Sequence, residues 1–308
     1  MSSHPDVAYR FEPIHRSAGQ GGDAESLRSD LLARAIAQTD VAELYRLYLP
    51  AKPAWEKPPF FRKSYPTRLT KGRSLLWPVA RRSSVMGKLF SHLYTPLNEP
   101  FLVFKEVELT NIAHGLLHGT PVPVVVLLRH PYATVASFMV GQHMRLMPTG
   151  RIEVIRNVMH DHAPALYARY AHCFDRLSDI ERRALLWRAS TEHYCTSLRS
   201  SGRGRRVYYE QLCRDPNAVA EAVLGDFGLA MEQQVRDFIQ AAMQPRTWTP
   251  WRYGDLGSND YFSLFRDPAR SLNRWKQLLS ESDRAKVHAI VEDCDEFREG
   301  VSAGIWEE

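Results

Sequence analysis

Cysteine is scarce in this 308-residue chain. The four present, Cys173, Cys195, Cys213 and Cys294, stand far apart, with no Cys-x-x-Cys pair and no Cys/His spacing of a metal site. That sets aside a disulfide scaffold and a zinc module, and free thiols in a reducing, cytoplasmic setting are expected. No Asn-x-Ser/Thr acceptor occurs, which goes against a secreted glycoprotein. No recognisable signal peptide and no apolar run of membrane-spanning length are present in the chain as written. A glycine-rich phosphate loop is wanting too. Gly19-Gln20-Gly21-Gly22 has no apolar strand before it, and Arg199 to Gly204 follows a helical pattern and precedes a strand, the reverse of what a phosphate loop needs. The latter reads as a basic helix-to-strand turn.

What the chain does have is enough apolar content for a proper core, 44%, and a modest net charge of +5 in which arginine dominates. Arginine-rich surfaces suit anionic ligands such as nucleotides. The basic stretch from Arg62 to Arg82 holds Tyr65 and Trp77 but has no periodicity, and it reads as a solvated loop or lid rather than a nucleic-acid face. No nucleic-acid partner is expected.

The most informative segment is Pro121 to Phe138, PVPVVVLLRHPYATVASF. Apolar residues from Val122 to Leu128 predict a strand buried on both faces. It ends at Arg129, Pro131 fits the first turn of a helix, and Ala133 to Met139 continue that helix with Ser137 about two turns in. Open α/β sheets bind ligands at the carboxyl ends of their strands, where Arg129 falls. A guanidinium and a hydroxyl at one crevice suit a phosphate.

Arg129-His130-Pro131 through Ser137-Phe138 resembles the 3′-phosphate-binding segment of sulfotransferases that use 3′-phosphoadenosine 5′-phosphosulfate (PAPS). Three further segments, in the family's order, strengthen the resemblance. Phe101 to Thr110 is similar to a strand ending in a catalytic lysine, here Lys105, followed by Glu106. Arg206 to Leu229 is similar to a block in which Tyr209 and Glu210 end a strand near the adenine, followed by Asp215-Pro216 and a helix. Asn273-Arg274-Trp275-Lys276 resembles the closing Trp-Lys segment and supplies Arg274. Near the start, Ser3 to His15 (SHPDVAYRFEPIH) is similar to a stretch of carbohydrate-type members.

The resemblance implies a P-loop-NTPase-like, three-layer α/β/α fold with a mainly parallel sheet, formed as one domain over 1–308. An acceptor-side insertion is expected at about 50–100. The family's first strand and phosphate loop have no counterpart before His4, so the expectation is that the reading frame starts downstream of the true start. The implied activity is sulfuryl transfer from PAPS, as co-substrate and without metal, to a hydroxyl of a carbohydrate, glycolipid or small molecule. Arg129, Ser137, Tyr209 and Arg274 would bind the donor. Lys105 would act at the leaving-group oxygen. Some members place a His two residues after that lysine, but Val107 stands there, so the base falls to a carboxylate, Glu12 first and Glu106 second. Two alternatives stay open: a donor-site-deficient homologue acting as a nucleotide-binding or scaffold protein, and a phosphotransferase on the related nucleoside-kinase fold. The latter holds Mg²⁺ through a strand-end carboxylate, where this chain has Arg129.

Elsewhere, periodicity predicts a helix over 24–48 and helices at 163–177, 180–199, 216–227, 231–243 and 282–296. Residues 141–162 read as irregular, with His160, Asp161 and His162 on a polar surface turn. His114 and His118, at i and i+4 on a helix, read as packing residues.

Overall fold

The computed structural model describes residues 4, 6–11, 33–48, 101–106, 110–147, 152–243 and 268–307. In chain order the elements are β1 (Val7–Phe11), α1 (Val41–Tyr48), β2 (Phe101–Lys105), α2 (Thr110–Gly119), β3 (Val125–Leu128), α3 (Pro131–His143), α4 (Ile152–His162) and α5 (Pro164–Tyr170). There follow α6 (Asp179–Ser201), β4 (Arg205–Tyr208), α7 (Tyr209–Arg214), α8 (Pro216–Asp226), α9 (Gln233–Ala242), α10 (Pro268–Asn273), α11 (Trp275–Leu278), α12 (Glu281–Val291) and α13 (Asp295–Ser302). The described strands pair in parallel, β1 with β2 and β3 with β4, as the α/β reading requires. The elements fall into two compact units, 1–109 with 220–267 and 110–219 with 268–308. No helix among the described residues is long and apolar enough to cross a membrane.

In the first unit, β1 and β2 run in register from Val7 opposite Phe101 to Phe11 opposite Lys105. Val7 is buried, and the edge is tied down by His4, whose Nε2 meets the Ala230 carbonyl at 3.1 Å. The single helix expected over 24–48 is instead interrupted. Residues 33–37 are helical, Thr39 turns into the left-handed region (φ 57°), and α1 starts after Asp40, whose Oδ1 accepts the Glu43 N–H at 2.8 Å. A side-chain cap at Asp40 gives the backbone a local partner that competes with a continuous helix. Residues 24–32 and the proposed insertion at 50–100 lie outside the described residues.

In the second unit, β3 pairs with β4 from Val125 opposite Arg205 to Leu128 opposite Tyr208. The strand is shorter than Val122 to Leu128, because Pro121 and Pro123 have no N–H for a ladder. Nor is it buried on both faces. Val126 and Leu128 point into the core, while Leu127 is 54% exposed. The turn into β4 is tight. A Cβ on Gly204 (φ 89°) would lie 2.6 Å from the Val124 carbonyl oxygen, a place open only to glycine.

The 23-residue helix α6 is the centre of this unit, packing against α2, α3, α4 and α12. A reciprocal box starts it, Ser178 Oγ accepting the Glu181 N–H while the Glu181 carboxylate accepts the Ser178 N–H, and Gly202 (φ 62°) ends it. Other helical readings need correction too. The helix expected over 163–177 stops at Tyr170; Cys173 leaves helical geometry (φ −122°, ψ 1°), and only a short 3₁₀ turn, Phe174–Arg176, follows. Residues 152–162 form α4, not an irregular stretch, with Ile155 and Met159 four apart on its buried face. The helix expected over 282–296 breaks near Cys294, and a new one starts at Asp295.

Candidate functional site

Arg129 follows the last residue of β3 directly and leads into α3. Its backbone carbonyl accepts the Trp187 indole N–H at 2.9 Å. Its guanidinium lies over the Tyr209 ring, 4.8 Å from the centroid. The Nε is buried and has no hydrogen-bond partner. A buried guanidinium nitrogen without an acceptor is costly unless a ligand or ordered water supplies one. The stacked ring holds the planar fork in place for that acceptor.

Tyr209 is not the end of a strand, as the sequence suggests, but the first residue of α7; β4 stops at Tyr208. Its phenol bonds with Cys213 and Ser271. Burial pushes the Tyr209 phenol up, Cys213 adds to this, and Arg129 and Ser271 pull the other way. A neutral phenol suits a flat wall beside a cation.

His130 builds the turn after Arg129. It is the N-cap of α3, its Nδ1 accepting the Tyr132 N–H at 3.1 Å. The other ring nitrogen, Nε2, lies 2.7 Å from the Glu307 carbonyl and donates to it, which fixes the neutral Nε2–H tautomer. Burial lowers its pKa to about 4; Glu307 opposes the shift, and Arg129 and Lys276 add to it. The His130 N–H donates to Glu210 Oε1 at 3.0 Å, and the Trp306 indole N–H to Glu210 Oε2 at 2.8 Å. Glu210, read from sequence as lying near an adenine, is a buried latch between three segments.

The Asn273–Lys276 stretch docks on this turn. Trp275 is buried and stacks on His130, and Lys276 pairs with the Glu307 carboxylate. Arg274 precedes Trp275 and is exposed. Ser137 is half-buried, two turns into α3. The structure thus brings Arg129 and Tyr209 into contact and sets the Trp275 segment against the intervening His130. Lys105, exposed at the end of β2, and Glu106, half-buried after it, belong to the first unit. Glu12 lies outside the described residues.

Sequence reasoning missed one cluster. His114, His118, His162 and His193 gather where α2, α4 and α6 meet. The i, i+4 pair on α2 was visible as spacing, but His193 and His162 join it only through packing.

No family model matches this chain, and no curated protein does. Two solved structures are similar to it. One is the sulfotransferase domain from the Synechococcus PCC 7002 olefin synthase, 14% identical, TM-score 0.40, over 94% of this chain and 86% of that one. The other is the sulfotransferase domain from the curacin biosynthetic pathway, 11% identical, TM-score 0.36, over 94% of this chain and 98% of that one.

Proposed function

We propose that this protein transfers a sulfuryl group from PAPS to a hydroxyl of a carbohydrate, glycolipid or small-molecule acceptor. The observation that carries the reading is Arg129: a strand-end guanidinium, stacked on Tyr209, with a buried Nε lacking an acceptor. An anion at that position satisfies the orphaned donor, and Arg reads phosphate oxygens in a fork geometry. Under this reading Arg129 and Ser137 hold the 3′-phosphate, Tyr209 gives the nucleotide a flat neighbour, and Arg274 adds positive charge.

The sequence resemblance supplies the remaining roles. The acceptor oxygen attacks sulfur as the sulfur–oxygen bond to the 5′-phosphate breaks, and the acceptor proton goes to a carboxylate, Glu12 or Glu106. Lys105 meets the charge that develops on the leaving phosphate oxygen. A cytoplasmic setting is part of the proposal, in keeping with four cysteines that are all free thiols.

Calorimetric titration with the product 3′,5′-ADP, beside ADP lacking the 3′-phosphate, tests the reading. The 3′-phosphate should tighten binding, and Arg129→Ala should remove that gain, about 1.5–3 kcal/mol for a charge-assisted hydrogen bond. Equal affinity for the two nucleotides would sink the assignment.

A further inference from the structure

Four imidazoles meet on one face of the second unit. His114 and His118 are one turn apart on α2, with ring centroids 4.4 Å apart. The His193 ring on α6 stands 5.4 Å from His114 and 4.3 Å from His162, the last residue of α4. Imidazoles repel one another once protonated, so a crowd of them needs a reason. At a zinc–nitrogen length of about 2.0–2.1 Å, two imidazoles on one ion hold their ring centres roughly 4.5–5.5 Å apart; the His114–His193 spacing falls in that range, and the two shorter spacings lie just under it.

The outer contacts fit the same reading. A metal-bound imidazole donates its second nitrogen to an oxygen, which fixes the tautomer. His118 Nε2 lies 3.2 Å from Ser200 Oγ, and that hydroxyl already donates to the Thr196 carbonyl at 2.9 Å. His118 is therefore the donor, and its Nδ1 keeps a free lone pair. His114 Nδ1 lies 2.9 Å from the oxygen of the buried Ser197, so Nε2 is the ring nitrogen left for an ion. His193 Nε2 is buried with no hydrogen-bond partner.

We propose that His114, His162 and His193, with His118 beside them, bind a divalent transition-metal ion of the imidazole-preferring kind, such as zinc, nickel or copper. Among the described residues, the only His, Cys, Asp or Glu ligand atoms gathered three together within 4.8 Å are those of Glu192, Cys294 and Glu296. Closing the histidines on an ion therefore takes side-chain rotation at His162 and His193, with His114 and His118 held by their serine contacts. The protonation state is already suitable. Burial, together with the neighbouring imidazoles, lowers the pKa of both His114 and His193, the latter to about 4. A metal needs the neutral ring. A bound ion would clamp α2 and α4 to α6, and the proposal stands independently of the sulfuryl-transfer reading.

The test is calorimetric titration of the full chain with zinc chloride at pH 7.5. One equivalent should bind. His193→Asn should weaken binding by at least about tenfold. His172→Asn, at an exposed histidine away from the cluster, should not. Absence of binding, or equal binding by the His114→Asn/His162→Asn/His193→Asn variant, overturns the proposal. Should that variant fail to fold, cobalt absorption of the unaltered protein decides. Intense visible bands of nitrogen-rich tetrahedral ligation are expected, and the weak spectrum of the aqueous ion overturns the site.

Discussion

The His130 imidazole lies flat against the Trp275 indole, centroids 5.0 Å apart and planes 23° from parallel. That one contact joins the strand-end turn carrying Arg129 to a segment near the carboxyl end of the chain. The turn itself holds only while the imidazole is neutral, because its Nδ1 must accept the Tyr132 N–H.

Acid should therefore loosen this unit. The folded-state pKa of His130, about 4, lies below its ordinary 6.5. Its contribution is complete above about pH 6.5 and is lost as pH falls toward 4, up to about 3 kcal/mol at about 1.4 kcal/mol per pH unit. Urea unfolding followed from pH 7.5 to 4.5 should show the decline. His130→Asn keeps a capping oxygen and no titrating group, so its profile should be flatter, although less stable at pH 7.5. An unchanged slope would remove His130 from the account.

Glu210→Ala should be strongly destabilising. It strands two buried donors, the His130 N–H and the Trp306 indole N–H, at about 1–3 kcal/mol each. Glu210→Gln leaves one good acceptor and should cost less. Chemical denaturation of the three proteins side by side gives the order.

Gly204→Ala should destabilise by about 1–3 kcal/mol, the usual cost of overpacking, since its Cβ would meet the Val124 carbonyl and also Leu198 Cδ2 at 2.8 Å. At Gly202, with φ also positive but nothing within 4 Å of an added Cβ, the same change should cost less. A smaller loss of melting temperature at 204 than at 202 would contradict this.

The proposed base is open to a paired comparison. If Glu12 takes the acceptor proton, Glu12→Gln should keep donor binding and lower turnover about 10²- to 10⁴-fold. If Glu106→Gln does so instead, the base belongs to the strand of Lys105. Near-native turnover in both variants would end the carboxylate-base reading.

The sequence by itself determined the elements that rest on local chemistry. The apolar run before Arg129 made a strand, Pro131 opened the next helix, and Gly202 and Gly204 marked the turn before β4. Parallel pairing was legible as well, because strands separated by helical stretches return in the same direction. Less legible were the breaks at Thr39 and Cys294, where capping and packing outweigh the helical pattern. Only the tertiary structure decided what the polar residues do. Glu210 reads like a ligand-side carboxylate but is satisfied by two buried N–H groups from remote segments. Tyr209 became a partner of Arg129 because α7 starts at that residue. His114 and His118 are visible in the sequence as a spaced pair, but only the packing of α6 and α4 brings His193 beside His114 and His162 beside His193. Periodicity records which face of an element is buried; the partner of a polar side chain on another element is set by packing, and no spacing along the chain encodes it.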